Sequence, residues 1–106
     1  MASTTAMCTS FKVELLKGDH DFDVDTFKIA LIKSSPAGTY GAATTNYSDV
    51  TGNSDEVTGS GYTAGGNTLS VTTTPTSFGT TAFIDFADTV WSSATLTASA
   101  AIIYNT

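Results

Sequence analysis

Thr26-Phe-Lys-Ile-Ala-Leu-Ile-Lys33 decides the fold class. Phe27, Ile29 and Leu31 alternate with Lys28, Ala30 and Ile32, the period-two pattern of a strand with one fully apolar face. Ser34-Ser-Pro-Ala-Gly38 follows, and its proline and glycine end the strand. Toward the C-terminus the pattern returns three times. Leu69-Ser-Val-Thr-Thr73 predicts a short strand closed by Pro75, and Thr81-Ala-Phe-Ile-Asp-Phe-Ala87 a clearer one. Trp91 falls in a short turn or strand, and Thr95 to Tyr104 reads as the last and most buried strand.

Toward the N-terminus the period changes. Met7, Phe11 and Leu15 fall at i, i+4 and i+8 with Cys8 and Leu16 beside them, which suits an amphipathic helix over residues 1–17, from about Ser3 to Lys17. Ser3 or Thr4 would cap it, Gly18 is placed to stop it, and Lys17 suits its last turn. A strand reading through Phe11, Val13 and Leu15 competes, and the glycine stop favours the helix. Residues 39–67 are polar, with Tyr40, Tyr47 and Tyr62 spaced through them and glycines at 59, 61, 65 and 66. They predict a long, ordered surface excursion held down by its tyrosines. The expectation is a mainly β fold over 1–106 as a single domain: a small antiparallel β-sandwich or partial barrel with one N-terminal α-helix.

Composition removes function classes before any site is considered. Of 106 residues, 21 are Thr and 12 are Ser, so the chain is rich in small hydroxyls; 41% hydrophobic residues, including six Phe, still supply a core. Four lysines, no arginine and ten carboxylates give a net charge of −6, the wrong sign for gathering nucleic-acid phosphates or anionic lipid. One cysteine excludes an internal disulfide framework. No apolar run reaches the length of a membrane span, and no charged-then-apolar leader opens the chain, so manufacture without Sec export is expected.

The residues offer four candidate chemistries. Asp19, Asp21, Asp23 and Asp25 alternate as calcium-loop carboxylates do, and Asp49, Asn53, Asp55 and Glu56 could complete a noncontiguous site. The EF-hand pattern fails, because Val24 stands where glycine is needed and Ala30 where glutamate is needed; a solvated acidic turn is the plainer reading. Calcium is therefore the one cofactor entertained. Cys8 and His20 lack a third group to make a nucleophilic pair, and Cys8 belongs to the apolar helix face. Gly59-Ser-Gly61 and Gly65-Gly66 are not followed by the lysine of a phosphate loop. Phe83, Phe86 and Trp91 read as core, with a carbohydrate-stacking Trp91 as the lesser alternative. No catalytic residue is assigned.

Two stretches carry a resemblance: Glu56-Val-Thr-Gly-Ser-Gly-Tyr-Thr-Ala-Gly-Gly-Asn-Thr-Leu69, and the block from Ala82-Phe-Ile-Asp-Phe-Ala-Asp-Thr-Val-Trp91 to Asn105. With Phe11 to Lys33 they resemble small structural proteins of tailed bacteriophages, over most of the chain. The resemblance implies a virion component, assembled in the host cytoplasm. Members of that group continue past the equivalent of Ile102-Ile-Tyr-Asn105 with further apolar sequence, so the resemblance implies either a sheet edge left open beside the last strand, for a neighbouring chain to pair with, or a cleaved product or fragment. A non-enzymatic capsid decoration or cement protein is the first expectation, because a small β domain gains stability against a repeated lattice. Its partners would be identical subunits, the major capsid protein, or both, with Lys12 and Lys17 facing an acidic shell. The alternatives are a tail-fibre or host-surface adhesin, with Tyr40, Tyr47 and Tyr62 as contacts, and a tail-tube or neck subunit.

Overall fold

The computed structural model describes residues 3–106. Its elements in chain order are α1 (Thr9–Lys17), β1 (Phe27–Lys33), α2 (Tyr47–Gly52), β2 (Asn67–Thr68), β3 (Val71–Phe78), β4 (Thr81–Phe86) and β5 (Ala98–Asn105). The strands form two antiparallel sheets, one ordered β2-β1-β5 and the other the hairpin β3-β4. The fold is mainly β, and among the described residues the strands close no barrel.

β1 is the spine. It pairs along its length with β5, from Phe27 opposite Asn105 to Ile32 opposite Ala100. Its two faces meet different layers. Ala30 and Ile32 point to the layer made by residues 39–66, where Ile32, Tyr40 and Val50 form the core with Ala100 and Ile102 against them. On the opposite face Phe27 stacks on Phe22 at 4.3 Å and lies 6.4 Å from Phe86, while Phe11 and His20 extend the ring cluster. The apolar set Phe27, Ile29 and Leu31 is thus only partly the buried one. Phe27 is buried, Ile29 and Leu31 are half-buried, and the small Ala30 with Ile32 is packed tighter because a whole layer covers it.

Several expectations need correction. The helix begins at Thr9, not near Ser3, and residues 1–2 lie outside the described residues. Ser3 instead bridges to Tyr40, Thr4 N–H donates to Tyr40 O at 2.9 Å, and Thr9 N–H donates to Ala42 O at 2.9 Å. Pairing with the 40–42 segment takes a stretch whose Ser3, Thr4 and Thr5 are weak helix formers. Gly18 does end α1, in the left-handed conformation at φ 80°. The helix buries no residue; Met7 and Leu16 are exposed, and Phe11 alone joins the ring cluster.

Residues 39–67 are held down by their tyrosines as expected, but they do more than cross the surface. They contain α2, whose Val50 is fully buried, and they bring Asp55, Val57 and Tyr40 inside. Asp49 makes the short helix viable by accepting the N–H groups of Thr45 and Asn46, each at 3.1 Å. Pro75 does not close β3. The strand runs through it, and the ladder to β4 breaks register between Thr73 and Thr76 instead. Gly79, at φ 61°, supplies the positive φ that the first position of the two-residue hairpin turn needs. Finally, β5 is an outer strand and is less buried than β1.

Candidate functional site

The polar chemistry of the molecule gathers on two adjacent carboxylates that face different ways. Asp55 is completely buried. Its Oδ1 accepts the Ala37 N–H at 2.8 Å, its Oδ2 accepts the Gly38 N–H at 2.8 Å and the Tyr40 hydroxyl, and Lys33 Nζ stands 3.8 Å away. Asn53 Nδ2 donates to the Tyr40 oxygen from the other side at 3.2 Å. Burial works to raise the Asp55 carboxyl, but the hydrogen bonds from Tyr40, Ala37 and Gly38, with the Lys33 charge, outweigh it and hold the group below the usual carboxylate range. One buried charge therefore fixes the path of the chain from Ser34 to Tyr40.

Glu56 does the same for the next loop. Tyr47 donates to Oε1, while Tyr62 and the Gly65 N–H, at 2.7 Å, donate to Oε2. The Tyr62 oxygen in turn accepts the Leu31 N–H at 3.0 Å, tying the group to β1. Tyr104 donates to Gly65 O at 2.6 Å and stacks flat on Tyr47, with ring centroids 4.3 Å apart. Trp91 is half-buried, its ring 5.9 Å from Tyr62. The run Gly61-Tyr-Thr-Ala-Gly-Gly66 is the hinge of this arrangement. A Cβ on Gly61 would meet Ala94 at 2.7 Å, and one on Gly66 would meet the carbonyl of Ile29 at 1.8 Å.

The phenols are held as donors. Burial, then the Glu56 hydrogen bond, pushes Tyr47 and Tyr62 far above the ordinary phenol value; burial, then the Asp55 hydrogen bond, raises Tyr40, and burial raises Tyr104. Such hydroxyls stay protonated and brace a fold by donating. An alkaline limit on stability follows. A phenol whose value rises on folding contributes fully below its unfolded value of 10.0, and that contribution is lost as pH climbs from there through the higher folded values. We expect the denaturation midpoint to hold near neutrality, then fall steeply above pH 10 as all four phenolates appear together with loss of structure. Independent phenolate titration in a still-folded chain would contradict the bracing role.

The candidate residues from sequence are placed as follows. Tyr40 is buried and Tyr47 and Tyr62 are half-buried with their hydroxyls committed, so none forms an outward contact patch. Lys12 and Lys17 are exposed on α1, Lys17 only 3.9 Å from Asp19. The acidic run is a self-bonded turn: Asp23 N–H donates to Asp21 Oδ1 and Asp21 N–H to Asp25 Oδ2, both at 2.9 Å. The backbone of Asp21, then the Asn105 side chain, lowers Asp25. Among the described residues no three His, Cys, Asp or Glu side chains gather to hold a metal ion. Asp49 caps α2, and Asp55 and Glu56 serve their two separate hubs, so the second acidic patch does not join the first.

His20 Nε2–H donates to Glu14 Oε1 at 2.9 Å, and its Nδ1 accepts Asn105 Nδ2 at 3.0 Å; the same amide donates to Asp25 Oδ2 at 2.8 Å. This chain of contacts ties α1 and the acidic turn to the end of β5. Cys8 is half-buried, its Sγ 3.6 Å from Gly41 O. Open, hydroxyl-rimmed space of about 660 Å³ lies between residues 39–44 and α2, bordered by Thr4, Thr39, Ser48 and Asn53. The two carboxylate hubs escaped the sequence reading because Asp55 and Glu56 looked like solvated charges. The signal available was their place among Tyr40, Tyr47 and Tyr62.

Compared with protein-family models, curated proteins and solved structures, the chain finds no match in any of the three.

Proposed function

We propose that this chain is a non-enzymatic structural protein of a bacteriophage particle, serving on the capsid as a decoration or cement subunit beside identical copies and the major capsid protein. The supporting observation is surface in excess. The chain exposes 6638 Å², whereas a compact monomer of its mass exposes roughly 5,600 Å². Its radius of gyration is 14.5 Å, against roughly 13 Å for a compact chain of this length. A protein that works by contact keeps such surface for its neighbours. The polar groups inside are spent on bracing loops, which supports a role in shape over one in turnover. The resemblance to small tailed-phage structural proteins rests in part on Gly61 and Gly66, residues with tight steric duties here.

In this reading Lys12 and Lys17, exposed on α1, face the acidic shell. The double reversal Lys12→Glu with Lys17→Glu should leave the melting temperature within a few degrees of the parent and lower incorporation into particles by at least about tenfold. Incorporation at the parent level would remove α1 from the docking face. A tail-tube or neck subunit is the second reading, favoured by the same excess surface. It would place the chain on the tail or neck of a fractionated particle and not on the shell.

A further inference from the structure

We propose that a second copy of this chain lays its β3–β4 hairpin along the outer edge of β5, so that copies join head to tail by strand addition. The proposal deepens the reading of a subunit among identical neighbours by naming the contact. Because it is read on purified protein, its failure is separable from absence in the particle.

The edge comes first. Thr106 N–H donates to Thr26 O at 3.0 Å, and the ladder continues unshifted from Phe27–Asn105 to Ile32–Ala100. Antiparallel alternation then turns the backbone groups of Ala100, Ile102 and Tyr104 toward β1 and those of Ala101, Ile103 and Asn105 outward. Among the described residues no strand pairs with that outer side. Ile103 stands beside it, 53% exposed. An open edge with an apolar neighbour is a template for another strand.

The hairpin is the matching piece. Among the described residues β4 pairs only with β3 and its other edge meets no strand, and no proline interrupts it. Phe78 near the turn is 83% exposed and Phe83 on β4 is 42% exposed. Pairing β5 with β5 across a two-fold would cover Ile103 but leave those rings in water. One hairpin–edge contact covers both.

Charge and area point to a second copy as the occupant. At −6, like copies repel wherever carboxylates meet, yet β5 carries no charged side chain and the β3–β4 hairpin carries only Asp85, near the end of β4 away from the turn. The two surfaces are thus parts of the molecule that a like copy approaches with little charge repulsion. The surplus of exposed area, roughly 1,000 Å² over a compact monomer, is of the size a standard interface takes from each partner, about 800 Å². Because the two surfaces differ, the contact is heterologous and propagates into rings or open arrays, the geometry a repeated lattice uses.

Sedimentation and native mass measurements on the purified chain test this, with Phe78→Glu and Ile103→Lys as variants. Both sites are solvent-facing, so each variant should keep the parent's melting profile. We expect the parent to associate with rising concentration, and each variant alone to associate at least about tenfold more weakly. An equimolar mixture of the two should recover a dimer and stop there, since it retains one intact hairpin and one intact edge. A parent that stays monomeric up to its solubility limit overturns the proposal. So does undiminished association of Phe78→Glu, which would point to pairing of β5 with β5, and so does failure of the mixture to recover a dimer when each variant is folded.

Discussion

The Gly66→Ala variant is expected to lose most of its stability. The added Cβ would lie 1.8 Å from the carbonyl oxygen of Ile29 and 2.8 Å from the Cα of Ala30. Both belong to β1, and Ala30 is completely buried, so neither can yield without breaking the spine of the sheet. The φ of 78° adds strain for any residue with a Cβ. Relief requires β2 to leave β1, taking with it the Leu69 N–H that donates to Phe27 O at 2.8 Å. We expect a loss of about 4 kcal/mol or more, which lowers the melting temperature by over about 15 °C. Gly52→Ala is the control: nothing lies within 4 Å of the new Cβ, and its effect should stay within about 0.5 kcal/mol. Thermal circular dichroism reads both. A Gly66→Ala variant melting within a few degrees of the parent would mean that the loop does not sit against β1 as described.

The second large effect belongs to Asp55→Asn. The two carboxylate oxygens together accept two backbone N–H groups and the Tyr40 hydroxyl, with Lys33 alongside. An amide keeps one acceptor and turns an NH₂ toward a donor it cannot satisfy, in a site with no water-exposed surface. The expected fall in melting temperature exceeds about 10 °C, while Asp23→Asn, on the exposed turn, changes it by no more than a few degrees. Acid should act on the same group. Its carboxyl is depressed on folding, so the stabilisation is present above the unfolded value of 3.8 and is lost as pH falls through the lower folded value. Asp25 and Asp49 are depressed too and add to the trend in that window. A denaturation midpoint that is flat from neutrality through the acid limb, or an Asp55→Asn variant as stable as the parent, would contradict the bracing role.

Phe27 to Lys33 and Thr81 to Phe86 declare themselves as strands by alternation, but alternation does not tell which face lies deeper: both faces of β1 are covered, and Ala30 and Ile32 are buried more fully than Ile29 and Leu31. Nor does apolar content tell which strand lies deepest. Thr95 to Tyr104 is largely apolar, yet its strand β5 lies at the end of its sheet, and sheet order is a long-range property that composition does not carry. The N-terminal helix was legible at its end, where Gly18 has a local conformational duty, and not at its start, where pairing with Tyr40 and Ala42 decides the matter. Parts of residues 39–67 lie deeper than their polar content indicates, for a related reason. Polar content signals exposure only when the polar groups go to water, and here Asp55 and Glu56 collect the tyrosines and loop amides inside the fold. The same displacement removed Tyr40, Tyr47 and Tyr62 from the candidate contact surface and left the exposed hairpin, α1 and β5 in their place.

Those surfaces have consequence only if neighbours meet them in quantity. The direct measurement is intact mass and stoichiometry of this chain in a purified phage particle. The account predicts on the order of hundreds of copies per particle, the number a closed symmetric shell displays. Absence from the particle, or a handful of copies confined to one tip, would contradict it.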